Sequence, residues 1–240
     1  MLMGWLITLI SLLSLRVADW SVWLIAGAVV LRTVLQTGLF ITAHDAMHGV
    51  LLPECRRWNH RLGIVFLLLY AALPYRRCRR NHQWHHNHTA TVHDPDFHED
   101  QAAGPLRWYR RFMAGYLSQN QMLRLLGFWG SLVLISSHWN TSAWLNLLLF
   151  CTLPLLLSSL QLFVFGTYLP HRCQRQQGST QRPESLDHPP WLSLLTCFHF
   201  GYHREHHDHP QLAWFQLPSM RHQIKPLTSG LTTRVASSEA

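Results

Sequence analysis

The sequence predicts an all-α integral-membrane protein in which four transmembrane helices carry a histidine-rich cap on the cytoplasmic side. Hydrophobic residues make up 48% of the 240 residues and charged residues only 13%, whereas a soluble domain carries about 25% charged residues. The apolar residues are segregated into long runs, and all 18 histidines lie outside these runs. The length predicts a single domain over residues 1–240. The five cysteines form no CxxC pair of the kind typical of a zinc ribbon.

Four apolar runs predict membrane-spanning helices, at residues 2–15, 20–42, 122–137 and 144–168. A spanning helix needs about 20 largely apolar residues, so the second and fourth runs have the required length and the other two are short. We interpret the first run as a retained helix and not as a signal peptide, because no Lys or Arg precedes it. Arg32, inside the second run, is costly in a bilayer and predicts either pairing within the bundle or a functional cavity.

Two further segments complete the chain. Residues 62–73 form an apolar run that is too short to cross a bilayer and predicts an interfacial or re-entrant segment. Residues 228–240 are polar and predict a flexible tail.

The positions of the basic residues predict the orientation in the membrane. Ten of the 20 lysines and arginines lie between His44 and Gln121 and seven follow Pro170, whereas only Arg16 lies in a loop on the opposite side. Cytoplasmic loops carry the Lys/Arg excess, so the middle loop and the tail are expected on the cytoplasmic side of the membrane. This location accounts for the formal charge of +8 without nucleic acid, which is not an expected partner.

Three histidine clusters have spacings that suit one face of a helix. They comprise His44 and His48, then His82, His85 and His86, and finally His203, His206 and His207. Residues three and four apart share a helix face, so each cluster directs two or three imidazoles at one locus. The first cluster follows the second span, the second lies in the next loop and the third follows the fourth span. All three are therefore expected on the same side of the membrane.

Eight imidazoles predict a site for two metal ions, because one zinc ion takes about four ligands. His171, at the end of the fourth span, is the expected ninth ligand, and Pro170 is expected to help end that helix. Imidazole suits zinc, copper, iron and nickel alike. An all-nitrogen site beside a membrane, with no hydrolytic nucleophile, favours redox iron over zinc, and no catalytic residue is predicted beyond the metal centre.

Several polar residues are candidates to orient the ligands. Metal-bound histidine usually donates its second N–H to a carboxylate, a carbonyl or water. The candidates near the clusters are Asp45, Asp94, Asp96, His199, Glu205 and Asp208. Four isolated histidines are interpreted as surface groups, namely His60, His138, His188 and His222, while His88, His93, His98 and His209 stay open between supporting the ligands and lying at the surface.

The pattern HxxxH, HxxHH, HxxHH with paired spans resembles the integral-membrane di-iron desaturases and hydroxylases. The segments around the histidines resemble more narrowly the bacterial-type β-carotene ketolases. These segments are FITAHDAMHG at 40–49, DPDF at 94–97, FGTYLPH at 165–171, CFHFGYHREHH at 197–207, PQLAW at 210–214 and QLP at 216–218. The resemblance is strongest over residues 33–218, and the segment before it is shorter than in the family.

The resemblance implies a 4-ketolase of β-ionone rings that converts β-carotene through echinenone to canthaxanthin with O2. It implies two irons per chain, held by the eight clustered histidines and His171. It also implies that each ring carbon is oxidised twice and that the resulting diol loses water.

The residues themselves agree with an external reductant and an apolar substrate. No GxGxxG motif indicates a dinucleotide fold, and no cysteine cluster could hold an iron–sulfur centre. Electrons are therefore expected from a separate protein such as a ferredoxin, whose acidic surface would be attracted to the arginine-rich face. The carotenoid is expected to enter from the lipid bilayer through a groove between the spans.

Three alternatives remain open at this stage. A carotenoid hydroxylase or a fatty-acyl desaturase of the same superfamily would share the histidine clusters. A histidine-rich membrane metal transporter is less favoured, because transport sites usually lie near the bilayer midplane and these clusters follow the spans.

Overall fold

The computed structural model describes residues 1–89, 91–98, 100, 103–172 and 183–221, and within these ranges it is helical with no β-strand. The predicted tail at residues 228–240 lies outside the described residues. The helices are α1 (Leu2–Ser14), α2 (Val22–His48), α3 (Arg56–Ala71), α4 (Tyr75–Asn87), α5 (Pro105–Tyr116), α6 (Gln119–Ser136), α7 (Ala143–Arg172), α8 (Pro190–Cys197) and α9 (His203–Asp208).

Helix α2 is longer than its hydropathy predicts. The apolar run ends at residue 42, but the helix continues to His48 and ends at Gly49, whose φ of 82° is the left-handed conformation common after a helix. At its start, the Ser21 side chain accepts a hydrogen bond from the Leu24 N–H. The first histidine cluster therefore lies on the last turns of the spanning helix itself, so the orientation of that helix determines where its two imidazoles lie.

Helix α7 also continues through its predicted end. Two segments with π-type hydrogen bonding, Leu148–Thr152 and Phe163–Tyr168, interrupt its α-helical pattern. Pro154 and Pro170 each come two residues after one of these segments, where the widened backbone accommodates a residue that has no N–H to donate. The expectation that Pro170 helps end the helix was wrong, because helical structure continues through Arg172 and includes His171 in its last turn.

Helices α1 and α2 run antiparallel. Near the start of α1, the Trp5 indole N–H donates to the Gln36 side chain, and Arg32 donates to the Trp5 carbonyl and the Thr8 hydroxyl. Met1 approaches Gly38, further along α2. The C-terminal end of α1 thus lies beside the N-terminal half of α2.

Helix α6 connects the two ends of the bundle. Near its start, the Gln121 side chain donates to the Ala71 carbonyl at the end of α3. Just after its end, Asn140 donates to the carbonyls of Leu13 and Leu15 at the opposite end. Helix α7 then runs parallel to α2, so the C-terminal ends of these two long helices meet.

Two of the four predicted spans meet the length and hydropathy of a membrane-crossing helix. They are α2, with 27 residues, and α7, with 30 residues. Helix α1 is apolar but only 13 residues long, so crossing by α1 and α6 stays a prediction. Many large apolar side chains are exposed on the outside of the bundle, including Met3, Ile10 and Leu134. A membrane protein presents such a surface to lipid.

Close packing fixes α4 against α2. A Cβ at Gly63 of α3 would overlap the Tyr75 ring and lie 2.9 Å from the Ala46 Cβ, so only glycine permits this approach. The Tyr75 hydroxyl and the Asn59 amide both donate to the Ala46 carbonyl, each at 2.8 Å. These contacts hold the second histidine cluster opposite the first.

Candidate metal centre

The structure brings all nine predicted histidines together at one end of the bundle. The last turns of α2 supply His44 and His48, and α4 supplies three more from its inward face. His171 comes from the last turn of α7, and the six-residue helix α9 carries the third cluster. Five of the nine are buried and the other four are partly buried.

The imidazoles divide into two adjacent groups. The first group consists of His44, His48, His82, His86 and His206. In this group the Nε2 atom of His82 lies 2.7 Å from that of His48 and 3.1 Å from that of His86. The Nε2 atoms of His86 and His206 are 2.9 Å apart.

The second group consists of His85, His171, His203 and His207. The Nε2 atom of His203 lies 3.2 Å from those of His171 and His207, and the His207 Nε2 lies 3.0 Å from that of His85. The rings of His86 and His207 stack with centroids 4.1 Å apart, so the two groups adjoin directly.

The spacing of the nitrogens fits metal coordination. Nitrogens about 2.0–2.1 Å from a shared ion lie roughly 3.0–3.4 Å from one another, which is close to the distances within each group. Both ring nitrogens of His44 and the Nδ1 of His171 are buried without a hydrogen-bond partner among the described residues. Such unpaired buried nitrogens are costly unless something binds them. The donor set therefore fits two imidazole-bound ions.

Burial keeps the cluster in its metal-binding protonation state. It lowers the pKa of His82, His203, His206 and His207 well below 6.5, and the neighbouring imidazoles lower it further. Burial and then His48 and His85 lower the pKa of His86 to about 2. Neutral imidazoles bind metals without first losing a proton.

His85 differs because a carboxylate faces it. Burial alone lowers its pKa, but the hydrogen bond to Asp94 and the charges of Asp96 and Asp94 outweigh burial and raise the pKa. The His85 Nδ1 lies 2.7 Å from the Asp94 Oδ1, and both side chains are buried. Of the several carboxylates that the sequence offered for orienting a ligand, Asp94 is the one that contacts an imidazole closely. Its contact with the His85 Nδ1 leaves the His85 Nε2 directed at the second group.

Asp96 stabilises the Asp94 loop. Its N–H donates to the Asp94 carboxylate, its carbonyl accepts from the Trp108 indole at 3.0 Å, and its carboxylate accepts from the Tyr116 hydroxyl at 3.1 Å. Burial raises the Asp96 pKa to about 6, although the charge of His85 opposes this. Sequence reasoning missed Trp108 and Tyr116. The sequence feature that could have identified them is the position of both aromatic residues on the inward face of the amphipathic helix α5.

Asp45 lies next to the first group without a close imidazole bond. Its carboxylate is 3.7 Å from the His44 Nδ1 and accepts the Trp214 backbone N–H at 3.4 Å. Asp45 thus ties the chain after α9 to the end of α2.

Glu205 and His199 do not orient a ligand of either group. Glu205 points to the Arg221 guanidinium, at 3.2 Å, and accepts from the Ser185 hydroxyl. The His199 ring stacks on Tyr202 and Trp214. Both residues stabilise the segment that carries α9, and Asp208 is exposed.

The histidines interpreted as surface groups differ from one another. His138 is exposed, but the His60 Nδ1 lies 3.0 Å from the Tyr75 hydroxyl and His188 is partly buried, with its carbonyl bound by the Tyr202 hydroxyl. His222 lies outside the described residues.

An apolar cavity of about 340 Å³ reaches the histidines. His44, His82, His85 and His203 form its polar end. Phe112, Met113, Leu125, Trp129 and Leu155, from helices α5, α6 and α7, contribute to its apolar walls. The Phe200 ring packs edge-on against His44, with centroids 4.6 Å apart. The cavity can therefore hold a hydrocarbon with one end beside the metal-binding groups.

Comparison with known proteins agrees with this site. A sequence model of the fatty acid desaturase family matches residues 18–233. A β-carotene ketolase from Paracoccus sp. (strain N81106 / MBIC 01143) is 42% identical over 193 residues, which cover 79% of this chain and 76% of that protein. A β-carotene ketolase from Haematococcus lacustris is 39% identical over 82% of this chain and 62% of its own length.

A zeaxanthin 4-ketolase from Chlamydomonas reinhardtii is 38% identical over 78% of this chain and 42% of its own length. No solved structure gave a significant match.

Proposed function

This chain belongs to the fatty acid desaturase family, and from that premise we propose that it is a membrane-bound β-carotene ketolase. The reaction would oxidise C4 of a β-ionone ring and convert β-carotene through echinenone to canthaxanthin. The observation that carries the proposal is the apolar cavity that ends at four of the nine histidines. A fully apolar substrate has no charged group to bind, so shape and burial must position it.

The nine histidines would hold two irons, one in each group. Bound iron supplies the one-electron and O2 chemistry that no side chain provides. The protein residues hold and orient this centre. Neutral imidazoles would bind the irons, Asp94 fixes the orientation of His85 by accepting the His85 Nδ1–H, and Phe200 covers His44 on the cavity side. Water is excluded from the cavity by its aromatic and aliphatic walls.

The stoichiometry of the reaction explains why an external reductant is needed. Each hydroxylation of a C–H bond consumes one O2, two electrons and two protons and releases one water. Two hydroxylations at one carbon, followed by loss of water from the diol, give the ketone. Each ketone therefore consumes four electrons, which we assign to a ferredoxin-type donor.

We also propose that the metal centre faces the cytoplasm from a bacterial membrane. The nine candidate ligands lie at the C-terminal ends of α2 and α7 or in the segments that follow these helices, where the basic residues are concentrated. Helices α1 and α6 would cross together with α2 and α7, and the carotenoid would enter the cavity from the bilayer.

Expression in a host that accumulates β-carotene tests the activity. We expect echinenone and canthaxanthin in the extracted pigments, at a level that rises when a ferredoxin and its reductase are co-expressed. Formation of zeaxanthin without ketones would identify a hydroxylase instead, and unchanged carotenoids with new double bonds in membrane lipids would identify an acyl desaturase. A variant with His203→Ala, expressed at the same level, controls for pigment formed by the host.

A further inference from the structure

Helix α4 has two chemically different faces. Its inward face carries the three histidines of the second cluster together with buried Tyr75 and Cys78. Its outward face carries Arg76, Arg80 and Trp84 at intervals of four residues, which places them in one row along a helix. All three are exposed, and half of the Trp84 surface is accessible. A large exposed aromatic residue thus lies on the same short helix as three candidate metal ligands.

The four arginines of α4 are also divided between the packed side and the exposed side of the helix. Arg77 donates to the Gly115 carbonyl and Arg79 to the Met47 carbonyl, so these two hold α4 against α5 and α2. Within the described residues, Arg76 and Arg80 make no hydrogen bond or ion pair. Two guanidinium groups on the outward face are therefore available to a partner.

The surroundings extend this positive surface. Between Gly49 and Thr89 the chain has seven arginines and only one carboxylate, Glu54. The His60–Tyr75 contact places the start of α3, with exposed Arg56 and Arg57, beside the start of α4. By contrast, the region around α9 mixes both signs of charge, because Arg221 pairs with the carboxylates of Asp187 and Glu205. An acidic partner would therefore be attracted more strongly to α4 than to the region of α9.

We propose that the row Arg76–Arg80–Trp84 on α4 is the docking surface for an acidic one-electron donor protein of the ferredoxin class. This inference rests on the proposed function, which needs such a donor, and it assigns the donor to one face of one helix. Trp84 would form the apolar centre of the contact, and the arginines would orient the donor around it. The Trp84 ring stacks on His88, with centroids 4.2 Å apart, which holds the indole at the surface.

The position of Trp84 also gives a short electron path. Trp84 is joined by one peptide bond to His85, whose imidazole belongs to the second ligand group. A donor seated on the indole would be separated from the metal-binding imidazoles by the thickness of α4 alone. One electron would leave the reduced iron–sulfur donor in each encounter, so two encounters would supply each hydroxylation.

Binding of a ferredoxin, measured without turnover, tests the surface. The full chain in nanodiscs of phosphatidylcholine is titrated with an oxidised plant-type [2Fe–2S] ferredoxin at low and at physiological salt. For the double variant Arg76→Gln/Arg80→Gln we expect about tenfold weaker binding at low salt and a smaller salt dependence, because peripheral charges act through steering and are screened by ions. Trp84→Ala should weaken binding at both salt concentrations.

Matched variants control for charge and for loss of an indole. Arg107→Gln/Arg110→Gln removes the same charge from α5, and Trp23→Ala removes an exposed indole from the opposite end of α2. Both should bind ferredoxin within about twofold of the unchanged chain. Equal loss in these controls, or unchanged affinity in the α4 variants, would overturn the proposal.

Turnover measurements separate this inference from the proposed function. When the metal-loaded chain is reduced with stoichiometric dithionite and O2 is then admitted, the α4 variants should hydroxylate the carotenoid in that single turnover at the unchanged rate, while ferredoxin-driven ketocarotenoid formation falls. If the unchanged chain oxidises no carotenoid with either reductant, the proposed function fails, and the binding titration still decides the surface. If the α4 variants lose affinity for phosphatidylglycerol vesicles but keep ferredoxin binding, the arginines serve lipid headgroups and the docking proposal is wrong.

Discussion

His171 lies outside the three histidine clusters, yet its Nε2 is 3.2 Å from that of His203 and its side chain is buried. Its removal would leave the second group with three imidazoles. We expect His171→Ala to abolish ketocarotenoid formation and to reduce bound iron from two per chain towards one, while the protein still accumulates in the membrane. Metal analysis of purified protein and pigment extraction measure both effects.

His138→Ala is the matched control for His171, because His138 is exposed and makes no side-chain hydrogen bond among the described residues. It should retain the pigment yield and the metal content of the unchanged chain. Canthaxanthin formation by His171→Ala at the unchanged rate would remove His171 from the ligand set.

Asp94 affects the metal through His85. The Asp94→Asn change keeps the size of the side chain but removes the charge that favours the Nδ1–H tautomer of His85. Loss of a carboxylate of this kind typically lowers metal affinity about 10–100-fold. Competition with a chelator should show this loss, whereas Asp100→Asn, at an exposed position paired with Arg107, should titrate like the unchanged chain. Equal resistance to the chelator in both variants would contradict the orienting role.

At the scale of helices, Arg32 connects three elements. Its Nε donates to the Phe150 carbonyl at 2.9 Å, and its guanidinium donates to the Trp5 carbonyl at 2.8 Å and stacks over the Trp5 ring. Pro154 has no N–H to donate to the carbonyl four residues before it, which belongs to Phe150. Arg32 replaces that missing donor from a neighbouring helix.

Arg32→Leu would remove the donor to the buried Phe150 carbonyl, at a cost of about 1–3 kcal/mol, whereas the Trp5 carbonyl would keep the hydrogen bond from the Thr8 hydroxyl. We therefore expect a clear loss of thermal stability in detergent, measured by the melting temperature of the purified protein. Arg16→Leu, at an exposed position between α1 and α2, should leave the melting temperature unchanged. Equal stability of both variants would show that Arg32 does not link the helices.

The outcome for individual elements shows which features a sequence can predict. Hydropathy located α2 and α7 but placed their ends too early, because helical hydrogen bonding continues after the apolar residues stop. Spacing and span parity predicted that the nine histidines meet, since both depend only on helix geometry. The spacing could not select Asp94 over Glu205, because each lies near a cluster in sequence and only tertiary packing directs Glu205 to Arg221. The sequence predicted a groove between the spans but could not locate its walls, since they come from α2, α3, α5, α6 and α7 together.

For the whole molecule, the buried imidazoles predict a pH dependence of the metal-free protein. Five ligands outside the long helices have pKa values below the ordinary value of about 6.5. Below about pH 6.5 the unfolded chain therefore binds more protons than the folded chain, so stability falls as the pH falls. His85 and Asp96, whose pKa values are raised, contribute with the opposite sign but are two groups against five.

Melting of chelator-treated protein at pH 7.5 and at pH 5.5 measures this effect. We expect a lower melting temperature at pH 5.5, and a smaller difference in a variant with His86→Leu and His207→Leu. A melting temperature that does not change between these pH values would contradict burial of neutral imidazoles.

The parallel arrangement of α2 and α7 determines the topology of the chain. Their C-terminal ends meet at the histidines, so the chain must return to the opposite end between them, and α6 makes that return. Helix α6 has 18 residues, about 27 Å at 1.5 Å per residue, which is close to the hydrocarbon thickness of about 30 Å. We therefore expect α6 to cross the membrane although it is less apolar than α2 and α7.

Reporter fusions test whether α6 crosses. Fusions at Gly104 and at Ser229 should both give the cytoplasmic signal, and a fusion at Thr141 should give the opposite one. Opposite signals at Gly104 and Ser229 would mean that α6 does not cross, and the second and third histidine clusters could not then share one site.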